Sequence, residues 1–175
     1  LPLLPCGQGA AGAQGRALHG NRRGSGLWPA SDDGAAGRRA AHEERLAAAI
    51  EDAGADLVCL AGFMRVLSPA FVSRFPRRIV NVHPSLLPSF PGLDAQKQAL
   101  EHGAKVAGAT VHLVDAGTDT GPIADQAAVP VLDGDDEGRL AARILEAEHR
   151  LYPAAVGRLL AGGWRVEGRR LLFPA

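Results

Sequence analysis

From Arg39 onward, short apolar runs alternate with segments of helical periodicity, and this alternation restricts the fold more than any other feature of the chain. The run at residues 56–61 is continuously apolar after its first residue, Asp56, which is typical of a strand covered on both faces. Strands separated by helical segments favour a parallel sheet with crossover helices. We therefore predict an α/β fold with a mostly parallel sheet and flanking helices.

The periodic segments and the residues that end them give the predicted elements. Leu46, Ala49 and Ile50 have the i, i+3, i+4 spacing of one helix face, and Ser68 followed by Pro69 has the residue types that begin a helix. Helices are predicted at 38–53, 68–75, 93–102, 135–151 and 153–160. Strands are predicted at 56–61, 79–83, 106–114 and 123–131, with a terminal strand pair at 164–173 that turns at Gly168.

The N-terminal segment has a different composition from the rest of the chain. Residues 1–40 contain no Val, Ile, Phe, Tyr or Thr and hold nine of the 22 glycines. Core strands draw on β-branched and aromatic residues, so we predict that residues 1–38 are irregular and supply no core strand. Residues 39–175 are predicted to form the folded domain.

The charge balance, the cysteines and the apolar runs limit the function classes. Lys and Arg total 19, as do Asp and Glu, so we expect small-molecule partners rather than nucleic acid or a membrane surface. Cys6 and Cys59 are too few for a disulfide framework or a four-ligand zinc site, and no His or Cys spacing predicts a metal. No apolar run reaches the roughly 20 residues of a membrane span. These features together predict a cytoplasmic protein.

Asn81 and His83 are the first candidates for chemistry. They lie two residues apart at the end of a predicted strand, so their side chains leave the strand on the same face. Open parallel sheets bind their ligands beyond the carboxyl ends of strands. On this stretch alone, the alternative is that both side chains only hydrogen-bond the turn around Pro84.

A second polar group follows the strand predicted at 106–114. In the loop at 115–122, Asp119 is placed to reach His83, and a carboxylate bonded to an imidazole favours the protonated ring. The alternative, favoured by the local sequence, is a loop closed by Asx turns. His112 is interpreted as a core histidine whose hydrogen bonds are satisfied, and Cys59 as a small apolar core residue.

Three separated motifs resemble those of the folate-dependent glycinamide ribonucleotide formyltransferases. They are Gly-Phe-Met-Arg-Val-Leu at 62–67, Asn-Val-His-Pro-Ser-Leu-Leu-Pro at 81–88, and the polar loop at 115–122. The resemblance runs from about Arg39 to Phe173. It implies a Rossmann-like fold and transfer of a formyl group from 10-formyltetrahydrofolate to the amine of glycinamide ribonucleotide, a step of purine biosynthesis.

The resemblance also implies roles for particular residues. Asn81, His83 and Asp119 take the catalytic positions, where Asn81 and protonated His83 would stabilise the developing oxyanion and Asp119 would keep His83 protonated and help to move a proton. The folate site would comprise Arg39, Met64, Arg65, Val66, Leu67, Asn81, Asp115, Ala116, Gly117, Thr118 and Asp119. The nucleotide substrate would contact Leu145, Glu146, Ala147 and Glu148.

The N-terminus departs from the family pattern. The family begins with an apolar strand and a Gly-Ser-Gly-Ser-Asn type of loop that binds the substrate phosphate at a helix start, whereas residues 1–38 show neither. The turn at Arg22–Gly26 resembles a phosphate loop only weakly, since no strand is predicted before it. We therefore expect weak nucleotide binding. The alternatives are methionyl-tRNA formyltransferase, formyltetrahydrofolate deformylase and an inactive folate-binding protein.

Overall fold

A computed structural model describes residues 17–20 and 33–174. In this part of the chain, seven strands form one sheet and four helices flank it. The strands are β1 (Ala17–Gly20), β2 (Leu57–Leu60), β3 (Ile79–His83), β4 (Val106–Leu113), β5 (Ile123–Pro130), β6 (Arg165–Glu167) and β7 (Arg170–Leu172). The helices are α1 (Asp33–Asp52), α2 (Pro69–Arg74), α3 (Ala95–Glu101) and α4 (Glu137–Ala161).

The sheet is mixed, with the strand order β1-β2-β3-β4-β5-β7-β6. The pairs β1–β2, β2–β3 and β5–β7 are parallel, whereas β3–β4, β4–β5 and β6–β7 are antiparallel. The α/β class with flanking helices is confirmed, but antiparallel pairing is more extensive than we expected. Residues 114–122 connect β4 to β5 without a helix, and such a connection suits antiparallel neighbours because parallel strands need a longer crossover.

The N-terminal prediction needs two corrections. Ala17–Gly20 forms an edge strand parallel to β2, although we expected residues 1–38 to be irregular. An edge strand of four residues forms by backbone pairing with one neighbour and does not need the residue types of a core strand. In addition, α1 begins at Asp33 and so crosses the boundary predicted after residue 38.

The two helices predicted at 135–151 and 153–160 are one helix, α4, which continues through Pro153. Proline removes one backbone donor and crowds the carbonyl four residues earlier, which normally ends or kinks a helix. Here Leu151, Tyr152, Ala155 and Leu159 are buried on either side of Pro153. Their burial against the sheet stabilises the continuous helix.

Both faces of the sheet are covered, and the two faces carry separate cores. Successive residues of β2 alternate between them: Leu57 and Cys59 pack on the α4 side, and Val58 and Leu60 pack on the side of α1 and α2. On β3, Val80 and Val82 face α4 and Ile79 faces the other side. Asn81 and His83 therefore continue the face of Ile79, where polar groups replace the core at the end of the strand.

Candidate active site

A cavity of about 580 Å³ opens beyond the carboxyl ends of β2 and β3. Its volume lies in the range of small-molecule sites. The predicted residues that line it are Met64, Arg65, Val66, Leu67, Asn81, His83, Asp115, Gly117, Thr118, Asp119, Leu145 and Glu148. Arg39 lines a neighbouring cavity of about 500 Å³, Ala147 is buried in the core, and Ala116 and Glu146 are exposed outside both linings.

His83 is buried at the end of β3 and both of its ring nitrogens face oxygen acceptors. Nε2 lies 2.9 Å from the carbonyl oxygen of Phe90, and Nδ1 lies 3.4 Å from Oδ2 of Asp119. A carbonyl oxygen only accepts hydrogen bonds, so Nε2 carries a proton. The contact between Asp119 and His83 that the sequence suggested is thus present.

Asp119 joins the loop after β4 to the segment after β3. Its Oδ2 accepts a hydrogen bond of 2.8 Å from the backbone N–H of Gly92, and its Oδ1 lies 3.5 Å from Nε2 of His112. The backbone of Asp119 has a φ of 54°, which is unfavourable for a residue with a side chain. Such strain is held where surrounding contacts fix the chain.

The Asx-turn alternative for this loop is also realised, at a different residue. Asp115 accepts hydrogen bonds through Oδ1 from the N–H of Gly117 (3.0 Å) and from the hydroxyl of Thr120 (2.7 Å). Asp115 therefore closes the loop. This leaves Asp119 to contact the histidines.

His112 is the member of the site that sequence analysis missed. Burial lowers its pKa, which favours the neutral ring. Nδ1 lies 3.0 Å from the carbonyl oxygen of Leu113 and donates to it, so Nε2 accepts from the Asn81 amide nitrogen at 3.3 Å. His112 is satisfied, as expected of a core histidine, but it also fixes the Asn81 amide. The feature that could have identified His112 as a site residue is the register of β4 with β3, in which His112 pairs opposite Asn81.

The loop at 63–68 is held against α1 by a buried carboxylate. Glu43 accepts hydrogen bonds from the backbone N–H of Ser68 (2.9 Å), from the Ser68 hydroxyl, and from Nε of Arg39 (3.3 Å). Burial alone would raise the pKa of Glu43, but these bonds outweigh it and hold the pKa below its usual value. Arg39 also donates to the carbonyl oxygen of Val66 at 2.6 Å. Arg39 thus acts on the loop rather than on the main cavity.

The opposite wall of the cavity comes from α4. Leu145 is half-exposed there, and Glu148 is partly buried. Burial raises the pKa of Glu148, because water is withdrawn from its charged form. A hydroxyl-bearing ligand at this wall would give that carboxyl hydrogen-bond donors.

Two features are absent from residues 17–20 and 33–174. None of the helices described there combines the length and apolar character needed to cross a membrane. Within the same residues, no three His, Cys, Asp or Glu side chains are grouped so that they could hold a metal ion. The expectation of metal-free chemistry stays a prediction.

Comparison with known proteins identifies the family. The family model described as formyl transferase matches residues 14–156, which is most of the chain. The chain belongs to the formyl transferase family. The resemblance carried by the three motifs is therefore confirmed.

Relatives within the formyl transferase family carry specific names. Phosphoribosylglycinamide formyltransferase of Mycobacterium tuberculosis is 60% identical over 114 residues, which are 65% of this chain and 53% of the relative. The crystal structure of glycinamide ribonucleotide transformylase 1 from Symbiobacterium toebii is 56% identical with a TM-score of 0.75, covering 77% of this chain and 64% of that one. This match confirms the Rossmann-like formyltransferase fold.

A formyltetrahydrofolate deformylase from Pseudomonas syringae shares the fold at lower identity. Its structure is 28% identical with a TM-score of 0.71, covering 74% of this chain and 44% of that one. The chain thus spans about half to two thirds of the length of these two transformylase relatives and less than half of the length of the deformylase. The Arg22–Gly26 turn lies outside the described residues.

Proposed function

We propose that this chain transfers a formyl group from 10-formyltetrahydrofolate to the amine of glycinamide ribonucleotide in purine biosynthesis. The observation that carries the proposal is that Asn81, His83 and Asp119 lie together at the wall of a cavity, with His83 Nδ1 3.4 Å from Asp119 Oδ2. The names of the more similar relatives support it. The partners are small molecules in the cytoplasm, with no metal, nucleic acid or membrane.

Asn81 supplies the first donor to the oxyanion. One hydrogen of its amide nitrogen goes to His112, and the other is available to an oxygen in the cavity that Asn81 lines. A preorganised donor aimed at developing charge is usually the largest contribution to catalysis. Neutral His112 keeps this donor in place.

His83 and Asp119 supply charge and move the proton. His83 donates through Nε2 to the carbonyl oxygen of Phe90. The second donor to the oxyanion is therefore Nδ1 of His83, after its 3.4 Å contact with Asp119 is broken. As the C–N bond to the amine forms, the attacking nitrogen loses a proton, and the leaving folate nitrogen gains one when its bond to the formyl carbon breaks. Asp119, at the cavity wall, accepts and returns that proton.

The remaining lining suits the two substrates. 10-Formyltetrahydrofolate brings the formyl group, and its flat ring system fits the loop at 63–67, where Met64 and Val66 are exposed beside the cavity. Arg65 and the loop at 115–119 line the same end. We assign the nucleotide to the α4 wall, with Glu148 accepting hydrogen bonds from its hydroxyls.

Separate titrations and an assay test the proposal. We expect a folate analogue to bind measurably and glycinamide ribonucleotide to bind weakly, since the sequence of residues 1–38 contains no Gly-Ser-Gly-Ser-Asn type of loop. Grafting the family's strand and Gly-Ser-Asn loop in place of residues 1–38 should restore nucleotide binding. Tight nucleotide binding by the unaltered chain would instead identify Arg22–Gly26 as a phosphate site.

The assay separates the alternatives. Formyl transfer that requires glycinamide ribonucleotide supports the proposal, whereas release of formate without an amine acceptor indicates a deformylase. The comparisons favour transfer, because the deformylase structure is 28% identical to this chain whereas two glycinamide ribonucleotide formyltransferases are 56% and 60% identical. Transfer to methionyl-tRNA indicates the tRNA enzyme. Folate binding without any turnover, even after the graft, indicates an inactive folate-binding protein.

A further inference from the structure

A row of three polar side chains crosses the middle of the sheet next to the proposed active site. His83 on β3 pairs opposite Thr110 on β4, and Thr110 pairs opposite Gln126 on β5. Paired residues of antiparallel strands put their side chains on the same face. Thr110 is completely buried and Gln126 is exposed, so the row runs from the cavity wall to the surface.

Thr110 and Gln126 hold the chain that follows His83. The Thr110 hydroxyl donates to the carbonyl oxygen of Ser85 (2.7 Å) and accepts from the N–H of Leu87 (3.0 Å). The Gln126 amide donates to the carbonyl oxygen of Leu87 and to the Thr110 hydroxyl, both at 2.9 Å. The backbone N–H and C=O of Leu87 are thus both bonded to this row.

The segment held in this way supplies two partners of the catalytic group. The Phe90 carbonyl accepts from His83, and the Gly92 N–H donates to Asp119. Phe90 has a φ of 52°, which is unfavourable for a residue with a side chain. A segment with such a backbone keeps one geometry only when contacts around it fix that geometry.

We propose that Thr110 and Gln126 are positioning residues for catalysis. By fixing the segment at 85–92, they place the Phe90 carbonyl that orients the His83 ring and the Gly92 N–H that orients Asp119. Neither residue is among those that line the cavity, so they act through the segment and not on a substrate. The inference rests on the proposed formyl transfer, and its test includes a readout that needs no substrate.

The first test compares Thr110→Val with Thr110→Ser. Valine keeps the shape but loses the hydroxyl, so the segment shifts and kcat falls by about 10- to 100-fold, while KM for both substrates changes less. Serine keeps the hydroxyl and restores kcat. In ¹H–¹⁵N spectra of the imidazole groups without substrate, the valine variant is expected to lose the hydrogen-bonded Nε2–H signal of His83, and the serine variant to retain it.

The second test uses the exposed end of the row, where folding is less at risk. Gln126→Met removes both donors and is expected to lower kcat and to speed solvent exchange of the His83 Nε2–H. Ala128→Met, on the same strand and also exposed, is the matched control and should change neither. If Thr110→Val does not fold, Gln126→Met decides the outcome.

The outcomes of the two proposals are distinguishable. A protein that stays inactive even after the graft in place of residues 1–38, with an intact His83 signal, contradicts formyl transfer, and the spectra of the variants still test the positioning. Wild-type kcat and an unchanged His83 signal in Gln126→Met, or in a folded Thr110→Val variant, overturn the positioning role. Loss of stability with unchanged kcat would show that the row is only structural.

Discussion

The amide nitrogen of Asn81 donates to Nε2 of His112 across 3.3 Å, and this bond exists only while the His112 ring is neutral. Protonation would add a hydrogen to Nε2, so that both ring nitrogens carry one. Nε2 could then no longer accept a hydrogen bond from the Asn81 amide. Burial lowers the pKa of His112 and so preserves the bond. The orientation of a proposed oxyanion donor therefore depends on the charge of a residue behind it.

The first prediction concerns the pH dependence of stability. Because the pKa of His112 is below 6.5 in the folded protein, the unfolded chain binds the proton more readily. The contribution of neutral His112 is complete above pH 6.5 and is lost as the pH falls through the folded pKa. Urea unfolding over this range should show a smaller acid-side loss of stability for His112→Gln than for the wild type. Equal losses would contradict the prediction.

Truncation of either proposed oxyanion donor should stop most of the turnover. We expect Asn81→Ala and His83→Ala each to reduce formyl transfer by at least about 100-fold, because each removes a group that stabilises developing charge. Steady-state rates measure the loss, and an unchanged circular dichroism spectrum with retained binding of a folate analogue shows that the fold is intact. Turnover close to that of the wild type in either variant is incompatible with the assigned roles.

Asp119→Asn removes the negative charge of the Asp119 side chain while keeping its shape, so it tests the contribution of the charge alone. The amide keeps an acceptor for the Gly92 N–H but removes the negative charge beside His83. We expect kcat to fall by about 10- to 100-fold, since the proton acceptor is lost, with a smaller change in the affinity for a folate analogue. An unchanged kcat would leave Asp119 as a loop residue without a part in the chemistry.

An ion pair outside the cavity lining provides a contrasting prediction. Asp135 accepts two bonds from Arg143, at 2.6 and 3.0 Å, and one from the Leu132 N–H at 2.8 Å. The Arg143 bonds, followed by the Leu132 bond, lower the pKa of Asp135 to about 2. The stability that Asp135 contributes is present above pH 3.8 and is lost as the pH falls toward 2.

We therefore expect Asp135→Asn to unfold at lower urea concentration than the wild type at neutral pH. The difference should shrink as the pH is lowered through this range. Formyl transfer should be unchanged, because Asp135 lies outside the cavity lining. A variant as stable as the wild type at neutral pH would show that the pair contributes nothing measurable.

Features set by neighbouring residues were predictable from the sequence. Ser68 begins α2 as expected, with its hydroxyl accepting from the N–H of Phe71. The strand at Ile79–His83 and the terminal strand pair around Gly168 also match. Asn81 and His83 share a face because alternation along a strand is a local property.

Features that depend on distant partners were not predictable in this way. His112 became part of the site through its register with β3, which no local pattern around it reveals. Ala17–Gly20 is a strand because β2 offers it a partner, and α4 passes Pro153 because its apolar face is buried. In each case tertiary packing outweighed the local preference.

All hydrogen bonds of the proposed catalytic group and of the polar row join residues between Asn81 and Gln126. All of their donors and acceptors therefore come from one uninterrupted length of chain, although the residues are far apart along it. A recombination event with breakpoints outside this length would carry the whole arrangement into a related gene as one cassette. Chimaeras between relatives should accordingly keep it together or lose it together, depending on whether a crossover falls inside those limits.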